Sequence, residues 1–221
     1  MHAAERIVTV TTPAPSYSLI DLATLKALFQ IADTLSDAFL TALIPLASAA
    51  AQSYCNNPFV VETLSEMIFA SSDGSPWTVR ADVERLQLTR WPILSVAGII
   101  ETCGDIATTL TPETDFLVKP QTGQIIRLNA SSGRPRRWTA PLVTVNYSAG
   151  YATIPGDVIY AVAQVIRLDW DATQRDPALK KKSIEGVASY EYWVSDKGLG
   201  SSNLPPAVKG ALEKYRPPVF A

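Results

Sequence analysis

Apolar side chains along this chain switch between two periods, and the switch divides it. Residues 7–17 are β-branched and interrupted by Pro13 and Pro15, which favours extended backbone and forbids a helix. This predicts a leading arm over 1–17, free to pair with a neighbour. Ser18 and Asp21 have capping-box spacing, and Leu22, Leu25 and Phe29 then share one face, predicting a short helix. Asp33 or Ser36 can cap a second helix. In it Phe39, Leu40, Leu43, Ile44, Ala47, Ala50, Ala51 and Tyr54 recur every three or four residues, up to Asn56-Asn57-Pro58. Pro45 inside that run removes a donor and predicts a kink near Thr41 to Pro45.

From Val60 to Tyr151 the period shortens to two. Strands are predicted over 60–69, 83–88, 93–101, 115–118, 124–128 and 142–147, with turns at Asp73-Gly74 and Gln121-Thr122-Gly123. The local turns favour an antiparallel sheet. Pro155 opens a third helix whose stripe is Val158, Ile159, Val162, Ala163, Ile166 and Trp170, and this should pack on the second. Beyond Asp176-Pro177 the chain turns polar through Asn203, too long for an ordinary connection, and reads as an arm or interaction loop over 176–204. A last short helix starts at Pro205-Pro206, carries Val208, Leu212 and Tyr215, and must dock on something. The expected class is therefore α+β. A helical core is drawn from 18–57 plus 155–217, with an antiparallel β subdomain, 58–154, inserted between.

Composition narrows the chemistry. The 221 residues are 47% hydrophobic and 18% charged, enough for a sizeable core. A net charge of -2 gives no global reason to coat a polyanion. Two cysteines, Cys55 and Cys103, read as reduced thiols in a cytoplasmic product. No secretion signal is visible after Met1, and the most apolar run, 39–51, falls short of a bilayer span, so no membrane partner is expected. The lone histidine, His2, cannot build a triad or a multi-histidine metal site, and neither a Walker loop nor a complete dinucleotide fingerprint is present. Gly198-Leu199-Gly200 reads as a hinge. Asp169, Asp171 and Asp176 read as a solvated helix end. The expectation is therefore no catalytic residue, no cofactor and no metal.

What remains are surfaces. Arg134, Arg136 and Arg137 surround Pro135 and precede Trp138, while Lys180, Lys181 and Lys182 form a second basic run; both are candidate DNA-facing or partner-facing segments. Tyr190, Tyr192 and Trp193 place aromatic anchors on the arm, and with Val208, Leu212 and Tyr215 they form the candidate interface. A competing reading makes Trp77, Trp91 and Trp138 a stacking platform of a β-rich module that binds carbohydrate or single-stranded nucleic acid.

Several segments in order resemble the head-tail connector (adaptor) family of tailed bacteriophages. They begin with Leu22-Ala23-Thr24-Leu25-Lys26, Asp37 through Ile44, and Ser53-Tyr54-Cys55-Asn56-Asn57-Pro58. Arg90-Trp91-Pro92 before an apolar run follows, then Val143 through Tyr151 leading to Ile154-Pro155, Arg175-Asp176-Pro177, Ser183 through Tyr190, and the Leu212 to Arg216 helix. The longer leader, the fuller β insertion and Pro45 depart from a compact connector. The resemblance implies a structural, non-enzymatic virion protein of the neck, assembled in the bacterial host cytoplasm. It implies a twelve-subunit ring below the portal protein, meeting a stopper or tail-completion protein, with DNA crossing the lumen without sequence-specific contact. A gene transfer agent or a defective prophage particle could use the same part.

Overall fold

In the computed structural model the described residues are 6–71, 79–80, 85–173, 181–184, 188–191 and 204–216, and they fall into two compact units. One comprises Met1–Pro15 with Val60–Ala152; the other comprises Ser16–Phe59 with Thr153–Ala221. The class is α+β, as the two periods predict.

The β unit is built on strands β1 (Arg6–Thr12), β2 (Glu62–Ser71), β3 (Val79–Arg80), β4 (Arg85–Gln87), β5 (Ile93–Cys103), β6 (Ile106–Thr109), β7 (Phe116–Lys119), β8 (Gln124–Arg127) and β9 (Leu142–Ala149). The main sheet runs β1-β2-β9-β5-β6 in antiparallel order, and a smaller sheet runs β4-β8-β7. β9 alternates half-buried and buried at every residue, as a strand covered on one face should. Its buried side chains, Val143, Val145 and Tyr147, join Leu64, Ile68, Ile99, Ile125 and Trp138 in the core.

The arm and the strand list of the sequence reading change here. The leading segment is not a free arm: β1 pairs with β2 from Arg6↔Ile68 to Thr12↔Thr63, because its β-branched run finds a sheet edge within the chain. The turn at Asp73-Gly74 lies outside the described residues, and β3 pairs with β2 in parallel, so it is not the return strand of a simple hairpin. β6, missed in the sequence, returns after Gly104, whose φ of 59° supplies the left-handed residue of the turn. The turn at 120–122 with Gly123 (φ 68°) does join β7 to β8 as expected.

The helical unit contains α1 (Leu22–Phe29), α2 (Asp37–Cys55), α3 (Gly156–Thr173) and α4 (Pro206–Leu212). α1 is capped by Asp21 and not by Ser18: Asp21 Oδ1 accepts from Thr24 N–H at 2.8 Å and Oδ2 from the Thr24 hydroxyl at 2.8 Å. These bonds, the backbone one first, hold the Asp21 carboxyl below the usual carboxylate range. An Asp21→Ala protein should lose about 1 kcal/mol, read as a shift of the urea midpoint. That difference should be complete above the ordinary carboxylate range and vanish as pH falls through the lowered folded value, where the parent loses the same bonds. An equal difference at low and neutral pH would refute the assignment.

α2 runs unbroken through Pro45, so the expected kink does not interrupt it. Asn56, left-handed at φ 48°, ends it where expected. With a mean hydropathy of 1.3, α2 is long and apolar enough to cross a membrane, contrary to the run length read from sequence. Its apolar face is instead the core of this unit: Leu40, Ile44, Ala47 and Ala51 are buried and α3 packs alongside, with Phe39 and Trp170 6.2 Å apart. Within the expected arm, Lys181–Ile184 (β10) and Ala188–Glu191 (β11) pair antiparallel, from Lys181↔Glu191 to Ile184↔Ala188.

Candidate assembly interface

The residues predicted as interface anchors separate into two groups. α4 is fastened to its own unit. Val208 and Leu212 are buried at 4% and 0% exposure, and the Leu212 carbonyl accepts from the Cys55 thiol at 3.7 Å. Tyr215 meets Phe59 edge-on at 5.4 Å and donates to Asp157 Oδ1 at 2.7 Å, while Lys214 pairs with Asp157 Oδ2. Burial raises the Asp157 carboxyl, but these Lys214 and Tyr215 bonds more than offset it and leave it below its usual range. The Tyr54 hydroxyl donates to Glu213 at 2.6 Å, and Arg216 lies over the Tyr54 ring. Val208 and Leu212 are therefore buried in their own unit and not outward anchors, while Tyr215 is half-buried. A short helix unstable alone has found its cover on α2 and α3.

Of the arm residues, Tyr190 lies in β11 opposite Lys182, and Lys181 lies beside it in β10, all described by backbone alone. Tyr192, Trp193 and Lys180 lie outside the described residues, as do Trp77, Asp176 and the Gly198-Leu199-Gly200 hinge. Asp171 pairs with Arg167 at 3.7 Å, and burial pushes the half-buried Asp169 carboxyl up. Among the described residues no acidic or thiol cluster is arranged to hold a metal. Cys55 is free and buried, its thiol pushed up to about 12 by burial, whereas Cys103 is free and exposed.

Arg134, Arg136 and Arg137 are exposed on the loop that follows β8. Trp138 behind them is 2% exposed, with the Arg127 guanidinium 5.9 Å from its ring centre, so it is a core residue and not a stacking surface. Trp91 is half-buried.

The sequence reading missed the polar interior of the β unit. Glu66, fully buried on β2, accepts from Arg6 Nη1 at 3.1 Å, Thr89 N at 3.0 Å, the Thr89 hydroxyl at 2.8 Å and the Tyr147 hydroxyl at 2.8 Å. Burial, with the carboxylate adding to it, pushes the Tyr147 hydroxyl well above its ordinary range, so it stays a donor. A signal for this exists in the sequence: Glu62 and Glu66 share the face of Leu64 and Ile68 in an alternating strand. A charge on the apolar face must be paired. These bonds all lie within the β unit, where they satisfy the buried Glu66 charge.

Among the described residues, both edges of the main sheet and a groove of the helical unit remain open. β1 is an edge strand with Ile7, Val8 and Val10 all more than a third exposed, and β6 at the opposite edge exposes Ile106 at 70%. Neither strand carries a lysine or an internal proline, the usual guards of a free edge. In the helical unit a groove of about 720 Å³ is lined by the start of α1, by Thr41 and Pro45 of α2, and by 153–159.

Comparison with known proteins matches residues 19–86 to the family of phage gp6-like head-tail connector proteins. No curated protein sequence matches significantly. Among solved structures the fold resembles a chain in the neck of an empty gene transfer agent (GTA) particle, at 13% identity and TM-score 0.56, covering 97% of each chain. A chain of the native GTA virion (15% identity, TM-score 0.56) and one from the native neck computed with C12 symmetry (13%, 0.55) match over the same 97% of both chains. At these identities the likeness is one of fold, and it extends well beyond the segment matched by sequence. Residues 19–86 are thus similar in sequence to the phage gp6-like head-tail connector proteins, and the chain as a whole is similar in fold to chains of gene transfer agent particles.

Proposed function

We propose that this chain is a ring subunit of a phage or phage-like particle neck, joining the DNA-filled head to the tail. The observation that carries the reading is the connector match over 19–86 inside a fold aligned along 97% of a neck chain. The ring would sit below the portal protein and above a stopper or tail-completion protein, in the virion, after assembly in the host cytoplasm. A ring of twelve copies is supported by the C12 symmetry with which one similar neck was computed, another having been computed with C6 symmetry. DNA would cross the lumen without sequence-specific contact.

Function is then geometry. A closed ring with one chain type needs head-to-tail contacts, so each copy must carry two different patches. The exposed edge of β1 on the N-terminal side of its irregularity at Val10–Thr12 is one natural candidate, since an edge strand offers unpaired backbone groups to another chain. Tyr190, Tyr192 and Trp193 remain the proposed anchors for a neighbour or the portal. The stacking-module alternative is weakened by the burial of Trp138.

Mixing the purified chain with its portal should give a ring-sized complex on light-scattering chromatography, and a labelled chain should image at the head-tail vertex. A label found elsewhere on intact particles would refute the proposal.

A further inference from the structure

The loop 128–141 holds three arginines and no acidic residue, in a chain whose net charge is -2. Its backbone is fixed. Asn129 Oδ1 accepts from the amides of Ser131 at 3.0 Å and Ser132 at 3.3 Å, and Asn129 N donates to the Arg134 carbonyl at 2.9 Å. Gly133 takes the left-handed turn at φ 65°. Arg136 N donates to the Arg127 carbonyl at 2.8 Å, which ties the loop to a buried ion pair. All three guanidiniums project from this frame into solvent, and among the described residues none reaches a carboxylate. Asp115 already accepts from Arg127 at 3.3 Å and feels Arg136 through its field.

Protein interfaces use arginine beside aromatic anchors seated in desolvated pockets, and this loop exposes no aromatic, its one, Trp138, being buried. Phosphate surfaces instead combine arginine forks with small polar side chains, and the exposed Asn129, Ser131 and Ser132 supply these, their backbone amides being used to hold the loop. We infer that Arg134, Arg136 and Arg137 form a phosphate-contacting surface for duplex DNA, independent of base sequence. The inference rests on the proposed neck position, which brings a duplex past every copy.

The test uses the full chain, assembled with portal, and a duplex of about 30 base pairs in two unrelated sequences. Parent assemblies should bind both alike. In a protein carrying Arg134→Gln, Arg136→Gln and Arg137→Gln, the slope of log affinity against log salt should fall by at least about 2.7, roughly 0.9 for each phosphate that a single copy no longer neutralises. Replacing the three with lysine should restore most of that slope. An unchanged slope in the glutamine variant would overturn the inference. So would an unchanged slope accompanied by failure to join the portal, an outcome that would make the loop's partner an acidic protein rim. Assembly is scored separately: rings that form normally but hold DNA unchanged sink only the DNA surface, whereas absence of any ring sinks the neck reading with it.

Discussion

A Gly150→Ala protein is expected to be recovered largely unfolded or aggregated, with any soluble fraction losing more than about 4 kcal/mol in urea. Gly150 follows β9 at φ 125°, a backbone conformation that L side chains rarely adopt. A Cβ there would overlap the Val60 carbonyl oxygen outright, and would lie 2.5 Å from its carbon and 2.8 Å from Val61 Cα. All three are backbone atoms, so no rotamer change relieves the overlap. The chain entering β2 would have to move away, although Gly150 N–H is also held by the Pro92 carbonyl at 2.9 Å. Backbone strain alone costs about 1–3 kcal/mol, and the displacement adds to it, against a total stability of about 5–15 kcal/mol. Gly133→Ala is the control: it shares a positive φ but meets nothing within 4 Å, so it should cost only about 1 kcal/mol. Equal midpoints for the two variants would refute the close-approach argument.

Gly150 also shows how far the sequence alone reaches. The segment Val143 to Tyr151 is the most specific piece of the connector resemblance, reading as strand, glycine turn and proline-opened helix, and β9, Gly150 and α3 follow in that order. The glycine's neighbour, Val60, is 90 residues away in the chain, and nothing local names it. The same division holds for the helices. The stripe of α2 is plain because burial on one face imposes its own period, and its stop at Asn56 follows from local turn chemistry. Asp21 displaces Ser18 as the α1 cap in a contest between two residues with the same chemistry, which tertiary fit decides.

Sheet order is illegible for a different reason. Period-two runs announce strands but not partners. The insertion of β9 between β2 and β5 rests on pairings that range from Thr102↔Leu142, 40 residues apart, to Glu62↔Ala149, 87 apart. The capture of β1 by β2 is equally remote in sequence. The candidate surfaces divide likewise. Val208 and Leu212 look like anchors because a short apolar helix needs cover, and sequence cannot say that the cover is internal. Arg134, Arg136 and Arg137 stay exposed because a guanidinium with no nearby carboxylate has no reason to fold inward.

Arg127→Ala is expected to destabilise the β unit by about 3–5 kcal/mol, more than most exposed substitutions could reach. The guanidinium, 6% exposed, grips Glu101 with two parallel bonds, Nε to Oε1 at 3.0 Å and Nη2 to Oε2 at 3.1 Å. Its third nitrogen donates to the carbonyls of Asp115 at 2.6 Å and Leu128 at 3.1 Å. One side chain of β8 thus ties the small sheet to β5 of the main sheet and to the root of the arginine loop. Removing it leaves Glu101 buried without its partner, and that desolvated charge dominates the loss. A second substitution identifies the cause. Arg127→Met with Glu101→Leu removes both charges while keeping volume, and should recover at least about 2 kcal/mol relative to Arg127→Ala, since a buried pair exchanged for apolar groups is often nearly neutral. Chemical denaturation of the two proteins beside the parent decides the matter. If the double variant were no more stable than Arg127→Ala, the orphaned Glu101 carboxylate would not be the cause, and the loss would belong to the two carbonyl bonds, the Asp115 ion pair and packing against Trp138.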